Sequence, residues 1–435
     1  MDLKKLSQYL HKKLANDAIV FISPDFKKGI GIEMFLPHYL VIGGYDSPLI
    51  KRACEDGLNV IAMESLDPKS AKDAHNSGKI LENEKVQNHI RAFQKKCAAA
   101  KVHILTFKGN SKIELICKKN KWGLLNLPMI ITTKLEDKAN FSKLLEKFDG
   151  ETLPTICGVL NTLNLKKLPA SKKYAVQFTR GFGGSSTYFL DIKGIEKLRH
   201  SYGDHRVKIA PFVDGPTLTL NGCVYNDHVY TSYPFLQKTG DKKYTRYEGG
   251  SCGVDFDFGN KKAHAKKISS AIVKKTVACA ASLAGRAKRL GLKGFFGIDA
   301  ITDGKAVYPV EINPRLTANV HPFTANQLHL NHAPFLLLHL LEFLKITVLI
   351  PNSDRFHQRS YAGETLILRN LGNKPCKVSE LKKLCNLPAR VPADYNFSRL
   401  LDSKTPSKKS KTCIAPFSPS SLINPDFEWG ELWQL

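Results

Sequence analysis

The sequence predicts an α/β (α+β) protein with more than one domain, and three observations support this prediction. The first third of the chain alternates short apolar runs with amphipathic stretches of helical length, which is typical of βαβ units. A pair of apolar segments that form a hairpin motif follows near residue 300. The chain has 435 residues, and at about 100–200 residues per domain this length corresponds to roughly two to four domains.

The N-terminal part, residues 1–131, is predicted to form a domain around a parallel sheet. Its apolar runs are short and separated by stretches of helical periodicity, so helices should cover the faces of the sheet. No G-x-G-x-x-G motif follows Gly43-Gly44, which argues against a dinucleotide site here. The predicted strands are 18–23, 39–43, 60–63 and 102–107, and two of the predicted helices are 47–57 and 83–100.

A second domain is predicted over residues 132–350. It opens with a helix at 139–148 and continues through short strands between about 153 and 212, which would form a subdomain of their own. Apolar residues then recur at steps of three and four between 268 and 290, as in a helix with one buried face. Residues 351–435 remain as a small C-terminal region.

The charge of the chain is strongly positive. Sixty-five Lys and Arg against 39 Asp and Glu give a net charge of +26, a field that attracts polyanions. The basic residues are spread along the whole chain, so we expect no dedicated nucleic-acid surface. Residues 403–411 (SKTPSKKSK) are polar and basic and contain a proline, and their composition predicts a flexible linker.

Cysteine and apolar content predict a protein of the reducing cytoplasm. None of the ten cysteines forms a C-x-x-C pair, which argues against a zinc ribbon or a thioredoxin-like site. The most apolar stretch, 333–350, is interrupted by His339, Glu342 and Lys345, so we expect no membrane span. The sequence leaves the oligomeric state open, with a homodimer as one alternative.

The motif with the clearest chemistry is the segment 294–315, GFFGIDAITDGKAVYPVEINPR. It predicts two apolar strands around a turn, with Glu311 and Asn313 on one face of the second strand because they are two residues apart. Asp299 on the first strand joins that face if the connecting loop has an odd number of residues, for example five residues centred on Lys305. A two-residue turn would place Asp299 on the opposite face.

These side chains suit a divalent cation bound to phosphates. Two carboxylates and one amide are hard oxygen ligands, and Mg²⁺ or Mn²⁺ would share the remaining positions with phosphate oxygens and water. Arg315 follows and could stabilise a transferring phosphoryl group. The alternative is a sheet edge with solvated carboxylates, which is disfavoured because acidic residues within apolar strands are costly.

A glycine-rich loop between two strands is the second motif. The segment YAVQFTRGFGGSSTYFL, residues 174–190, places Arg180, Gly183, Gly184 and Ser185 where backbone N–H groups, a hydroxyl and a positive charge could cover phosphates. It lacks the G-x-x-x-x-G-K-[ST] pattern of a Walker loop. An ordinary hairpin turn is the alternative.

Together these motifs resemble the ATP-grasp superfamily of ATP-dependent ligases, over about residues 132–343. The resemblance implies an ATP site between two α+β subdomains, one of them a mobile lid, with Mg²⁺ or Mn²⁺ as the metal. It implies metal binding by Asp299, Glu311 and Asn313 and a catalytic role for Arg315. The residues that it implies for nucleotide binding are Lys138, Gln177, Arg180, Gly183, Gly184, Ser185 and the hinge residues Pro211, Phe212 and Val213.

Two positions depart from the superfamily pattern. Many members carry Lys-Pro in the lid strand, where this chain has Gln177-Phe178, so either a phosphate-binding lysine is missing or Arg180 or Lys208 replaces it. Carboxylases of the superfamily have a glutamate before a His-Pro pair, where this chain has Val320. This second departure disfavours bicarbonate as the substrate.

The predicted function is that of an ATP- and Mg²⁺-dependent carbon–nitrogen ligase. As the resemblance implies, it would activate a small carboxylate as an acyl phosphate and join it to an amine of an amino acid or a peptide. Two alternatives stay open: a carboxylase-like enzyme that phosphorylates bicarbonate or a carboxylate, and a nucleotide-binding module without catalytic activity.

Overall fold

The computed structural model describes residues 2–146, 148–179, 184, 186–258, 268–350, 353–374, 376–377 and 379–380, together with the backbone of three strands between 411 and 434. Residues 403–410 of the predicted linker lie outside the described residues, and residue 411 begins one of those strands. Every helix of the described ranges is too short or too polar to cross a lipid bilayer.

The N-terminal part forms the predicted parallel sheet, in the order β3-β2-β1-β4-β5. The observed elements begin and end within about four residues of the predicted ones, and helix ends account for most of the differences. The strands are β1 (Asp17–Ile22), β2 (Tyr39–Gly43), β3 (Val60–Ala62), β4 (Lys101–Thr106) and β5 (Gly123–Leu124), and the helices are α1 (Leu3–Lys13), α2 (Pro48–Glu55), α3 (Met63–Leu66), α4 (Ser77–Glu82), α5 (Glu84–Lys96) and α6 (Ser111–Asn120).

Two short helices lead from this sheet into the second part of the chain. Helix α7 (Met129–Glu136) is followed directly by α8 (Lys138–Leu145), and the carboxylate of Asp137 caps α8 by accepting hydrogen bonds from the backbone N–H groups of Ala139 and Asn140. Such an N-cap satisfies donors that a helix start leaves open. The predicted helix at 139–148 is therefore present but ends three residues early.

The short strands predicted between 153 and 212 form a four-stranded antiparallel sheet in the order β6-β9-β7-β8. One face packs on a helix, α9, that the sequence analysis did not identify, and the apolar side chains of Val176, Ile195 and Ile209 meet there. The elements are β6 (Ile156–Val159), β7 (Tyr174–Phe178), β8 (Thr187–Leu190), α9 (Ile192–Tyr202) and β9 (Arg206–Pro211).

The third sheet is antiparallel and runs in the order β15-β14-β10-β12-β13-β16-β20-β18, with β11 paired to β10. The C-terminal region contributes to it, because β16 pairs with β13. The helix predicted near 268–290 is present as α10. The elements are β10 (Thr217–Tyr225), β11 (His228–Thr231), β12 (Phe235–Thr239), β13 (Ser251–Asp255), α10 (Ser270–Arg289), β14 (Gly294–Thr302), β15 (Val307–Asn313), α11 (Val320–His329), α12 (Phe335–Leu344), β16 (Glu364–Arg369), β17 (Cys376–Lys377), β18 (Lys411–Ile414), β19 (Leu422–Ile423) and β20 (Glu428–Gln434).

The hairpin of β14 and β15 reaches the predicted pairing by a different route. Thr302 pairs with Val307, so the loop has four residues rather than an odd number, and an undisturbed ladder would have turned Asp299 to the wrong face. A β-bulge corrects the register, because Asp299 pairs with Glu311 whereas Ala300 pairs with Pro309. Val310 is the extra residue, and bulges of this kind re-aim the side chains beside them.

His339 of α12 joins the N-terminal sheet to the third sheet. Its Nδ1 accepts a hydrogen bond from the backbone N–H of Phe295 at 2.9 Å, so its Nε2 carries the proton and donates to the carbonyl of Leu125 at 2.6 Å. Burial lowers the pKa of His339 from 6.5 to about 4. The folded protein thus holds this imidazole neutral.

We expect His339 to make the protein less stable in acid. The unfolded chain takes up this proton below about pH 6.5 and the folded chain only near pH 4, so the contribution is complete above pH 6.5 and is lost as the pH falls towards 4. The loss amounts to roughly 3 kcal/mol. Urea unfolding of the wild type, His339→Gln and the surface control His75→Gln between pH 4 and 7 checks this, and parallel profiles for the wild type and His339→Gln would contradict it.

Candidate functional site

The structure brings together the three predicted metal ligands on neighbouring strands. The amide Nδ2 of Asn313 lies 3.3 Å from Asp299 Oδ2 and 3.4 Å from Glu311 Oε1. From β10, the hydroxyl of Thr219 donates to Asp299 Oδ1 at 2.6 Å. The sequence analysis missed Thr219, although Thr219 and Asp299 are cross-strand neighbours and such neighbours interact on one face of a sheet.

The two carboxylates share a confined site. Burial and the charge of Glu311 raise the pKa of Asp299 from 3.8 to about 8. For Glu311, burial acts in the same direction, but the ammonium of Lys138 at 3.6 Å from Oε2 and hydrogen bonds from Asp299 and Asn313 outweigh it and lower the pKa. The mutual repulsion of the two partly buried carboxylates therefore opposes ionisation of Asp299, whereas the ammonium of Lys138 favours ionisation of Glu311.

This donor set fits a cation that takes most of its ligands elsewhere. Among the described residues, no three His, Cys, Asp or Glu side chains are grouped so that they could hold a metal ion. Asp299, Glu311 and Asn313 instead offer two carboxylates and one amide. Mg²⁺ is commonly bound by one or two carboxylates while phosphates and water complete its octahedron, so the residues fit that ion.

Arg315 is held by contacts on two sides. Its Nε lies 2.5 Å from Glu136 Oε1, and its Nη2 donates to Asn313 Oδ1 at 3.1 Å. Lys108, which follows β4, is close enough that burial and the charge of Arg315 lower its pKa. The sequence analysis missed both Glu136 and Lys108. Glu136 could have been suspected because it lies two residues before Lys138, but nothing in the sequence singled out Lys108.

Two lysines border the carboxylates. Lys138 is the first residue of α8, with 6% of its surface exposed. Lys208 of β9 is buried to the same degree, and its Nζ donates to the carbonyl of Val310 at 2.9 Å, which is the bulge residue. Burial, against the opposing charge of Glu311, lowers the pKa of Lys208 from 10.5 to about 8.

The glycine-rich loop is described only in part. Arg180, Gly183 and Ser185 lie outside the described residues. Gly184 has a positive φ of 77°, and a β-carbon on it would lie 1.7 Å from the carbonyl oxygen of Gly249. Gly184 therefore lies against residues 249 and 250, in the connection between β12 and β13 of the third sheet. Only glycine fits at position 184.

The predicted hinge residues lie at the end of β9 and directly after it. Pro211 is its last residue, and the N–H of Phe212 donates to the carbonyl of Lys173 at 2.9 Å. The ring of Phe212 packs edge-on against Phe189 at 5.0 Å between centroids. Val213 comes next and is half-buried. Their role in binding a base stays a prediction.

Arg246 lies in the loop that connects β12 to β13. Its Nη2 donates to the carbonyls of Leu371 and Gly372, both at 2.6 Å, and to Asn373 Oδ1 at 3.0 Å. These contacts fasten the loop before β13 to the C-terminal region.

A network of buried hydrogen bonds surrounds Asn221 of β10, two residues after Thr219. Asn221 is fully buried, accepts a hydrogen bond from the hydroxyl of Thr317 at 3.0 Å and donates to Asn319 Oδ1 at 3.1 Å. Its own N–H donates to Ser232 Oγ at 3.1 Å. The network fixes the turn between Arg315 and α11.

The ATP-grasp domain family model matches residues 135–319, so the resemblance drawn from the motifs is confirmed. A curated relative, the tyramine–L-glutamate ligase of Methanocaldococcus jannaschii, is 24% identical over 205 residues, which are 47% of this chain and 55% of the relative. The chain thus matches about half the length of that relative.

Solved structures show the same fold. The N5-carboxyaminoimidazole synthase from Aspergillus clavatus, in complex with ADP and 5-aminoimidazole ribonucleotide, matches with a TM-score of 0.59 at 14% identity, over 97% of this chain and 94% of that one. The biotin carboxylase domain of Hydrogenobacter thermophilus 2-oxoglutarate carboxylase matches with a TM-score of 0.57 at 12% identity, over 96% and 86% of the two chains.

We expect Asn221→Ala to destabilise the protein by about 1–3 kcal/mol, because it removes the buried hydrogen bonds of the Asn221 side chain to Thr317 and Asn319. Asn88→Ala is the matched control, since Asn88 is exposed on α5 and surface changes stay within about 0.5 kcal/mol. Urea unfolding measures both. Equal stability of the two variants would show that the network contributes nothing.

Proposed function

We propose that this chain, whose residues 135–319 form an ATP-grasp domain, is an ATP- and Mg²⁺-dependent ligase that joins a carboxylate to an amine. One observation carries the proposal. The carboxylates of Asp299 and Glu311 lie together between the third sheet and the four-stranded sheet. The ammonium of Lys138 contacts Glu311, and Arg315 contacts Asn313 beside them. This is a site for a triphosphate and a cation.

Each residue would act by charge and position. The ammonium of Lys138 would contact the phosphates, and Arg315, oriented by Glu136, would stabilise the charge of the transferring phosphoryl group. Asp299, Glu311 and Asn313 would hold a divalent cation, which neutralises charge on phosphate oxygens. The loop around Gly184 would exclude water by closing over the phosphates.

The proposed reaction has two steps. An oxygen of the substrate carboxylate attacks the γ-phosphorus of ATP, the bond to the β–γ bridging oxygen breaks, and ADP leaves. The nitrogen of the amine then attacks the carbonyl carbon of the acyl phosphate, phosphate leaves with the bonding electrons, and the nitrogen loses a proton. Positioning of the reactants supplies most of the rate.

An amine as the second substrate has support from two sides. The curated relative is named for joining tyramine to L-glutamate. Carboxylases of the superfamily have a glutamate before a His-Pro pair. This chain has Val320 at that position, and Val320 is fully buried and has no group for acid–base chemistry. We therefore propose an amino acid or a small peptide as the amine and a small carboxylate as the acid.

A reducing compartment, the cytoplasm, fits this proposal. The described cysteines are all free thiols, and disulfides are rare in the cytosol.

The experiment that tests the function measures ADP and phosphate release from Mg·ATP against a panel of amino acids, dipeptides, amines and bicarbonate, with mass analysis of the products. Release that requires both a carboxylate and an amine supports the ligase. Release with bicarbonate alone would favour the carboxylase-like alternative. Nucleotide binding without turnover on any member of the panel would favour a non-catalytic module.

We expect Glu311→Ala to lower turnover by at least about 10²-fold, because the variant loses a cation ligand and the partner of Lys138. Asp303→Asn is the matched control, since Asp303 is an exposed carboxylate in the loop of the same hairpin. Steady-state ADP release measures both. Full activity of Glu311→Ala would remove the metal assignment.

We expect Arg315→Lys to lower kcat by roughly 10²-fold while ADP affinity stays close to that of the wild type. Lysine keeps the charge but cannot contact Glu136 and Asn313 together, because it lacks the planar fork of arginine. Initial rates together with calorimetric titration of ADP separate the two effects. A variant that loses ADP binding but keeps kcat would reassign Arg315 to ground-state binding.

A further inference from the structure

Lys208 is a buried cation whose position in the fold calls for an anion. Lys208 is 5% exposed, and its ammonium donates a hydrogen bond to the carbonyl of Val310 at 2.9 Å. No carboxylate of the described residues lies within ion-pair distance of it, and an ammonium has three N–H donors. Buried charges are costly unless they are paired, so a partner from outside the chain would satisfy the remaining donors.

The face of the sheet on which Lys208 lies is turned towards the candidate site. Val207 and Ile209, its neighbours in β9, belong to the apolar cluster on the opposite face, where α9 packs. Side chains alternate between the faces of a strand, so Lys208 projects from the other face. There its ammonium lies 5.4 Å from the ring centroid of Phe141 in α8, the helix that begins with Lys138.

Electrostatic contacts place Lys208 in the same group of charges as the site. The charge of Glu311 attracts its ammonium and that of Lys138 repels it. The bulge at Val310 sets this arrangement, because it supplies the carbonyl for Lys208 and turns Asp299 towards Glu311. Lys208 therefore borders the space in which a triphosphate would meet the carboxylates.

Gln177 lies next to Lys208 in the four-stranded sheet. The two residues are direct cross-strand partners on β7 and β9, and such partners lie about 5 Å apart at their β-carbons. Gln177 is neutral, and its amide lies 3.4 Å from Thr187 Oγ1. A lysine on β7 or on β9 would place its ammonium in the same space beside the carboxylates, and in this chain that lysine is Lys208 on β9.

We propose that Lys208 binds the phosphates of the nucleotide and supplies from β9 the positive charge that position 177 of β7 lacks. The inference rests on the proposed function, because it assumes that the site takes ATP. It assigns the contact to the polyphosphate rather than to the base or the sugar. The residue is thus part of the nucleotide site and more than a support for the bulge.

The test exchanges the two side chains. Lys208→Gln should weaken ATP and ADP binding about 10- to 100-fold, the range of a charge-assisted hydrogen bond, and should leave adenosine binding unchanged. Adding Gln177→Lys to that variant should restore most of the affinity for ATP. Lys197→Gln is the matched control, because Lys197 is an exposed lysine of α9. Calorimetric titrations with ATP, ADP and adenosine measure all variants.

The outcomes separate the inference from the proposed function. If the wild type binds ATP and Lys208→Gln binds it equally well, Lys208 has no role in phosphate binding. Equal losses for ATP and adenosine would indicate a structural role and overturn the inference as well. A wild type that binds no nucleotide would overturn the proposed function itself. Should Lys208→Gln fail to fold in thermal unfolding, Lys208→Met keeps the aliphatic contact with Phe141 and takes its place in the same titrations.

Discussion

The candidate site depends on the repulsion between two partly buried carboxylates. Asp299 and Glu311 face each other across a strand pair, and Thr219, Asn313 and Lys138 surround them with donors. Such a pair is unfavourable unless positive charge or a shared proton relieves it. The fold keeps the two carboxylates together, and titratable groups with perturbed pKa values of this kind cluster at functional sites.

Different parts of the chain supply the compensating charges. Lys138 comes from the helix that follows the N-terminal part, Lys208 from the four-stranded sheet, and Arg315 from the segment after β15. Lys108, after β4, adds a charge from the parallel sheet. The site is therefore assembled by packing between sheets. The orientation of each charge depends on residues far away in sequence, and Arg315, for example, is oriented by Glu136.

Sequence patterns predicted the parts of this arrangement that have a local cause. The parallel sheet followed from apolar runs alternating with helices, and the shared face of Glu311 and Asn313 followed from their spacing on one strand. Asp299 joins that face through the bulge rather than through the odd-numbered loop that the sequence predicted. The bulge at Val310 could not be predicted, because a shift of register depends on tertiary packing rather than on the turn alone. Helix α9 was missed although Ile192, Ile195, Leu198 and Tyr202 recur at steps of three and four, which is a helical pattern. Thr219 and Lys108 enter the site only through long-range contacts, which leave no local signal.

The attachment of β16 has a consequence for how this chain can be divided. Residues 253–255 of β13 are hydrogen-bonded to residues 364–366 of β16, and a β-carbon at Gly253 would lie 2.0 Å from the carbonyl oxygen of Thr365. In a protein cut after residue 350, β13 would become an edge strand with unpaired backbone N–H and C=O groups, which could pair with strands of other chains. The C-terminal segment that contains β16 therefore protects the third sheet against self-association. The folding unit is larger than the part of the sequence that carries the motifs.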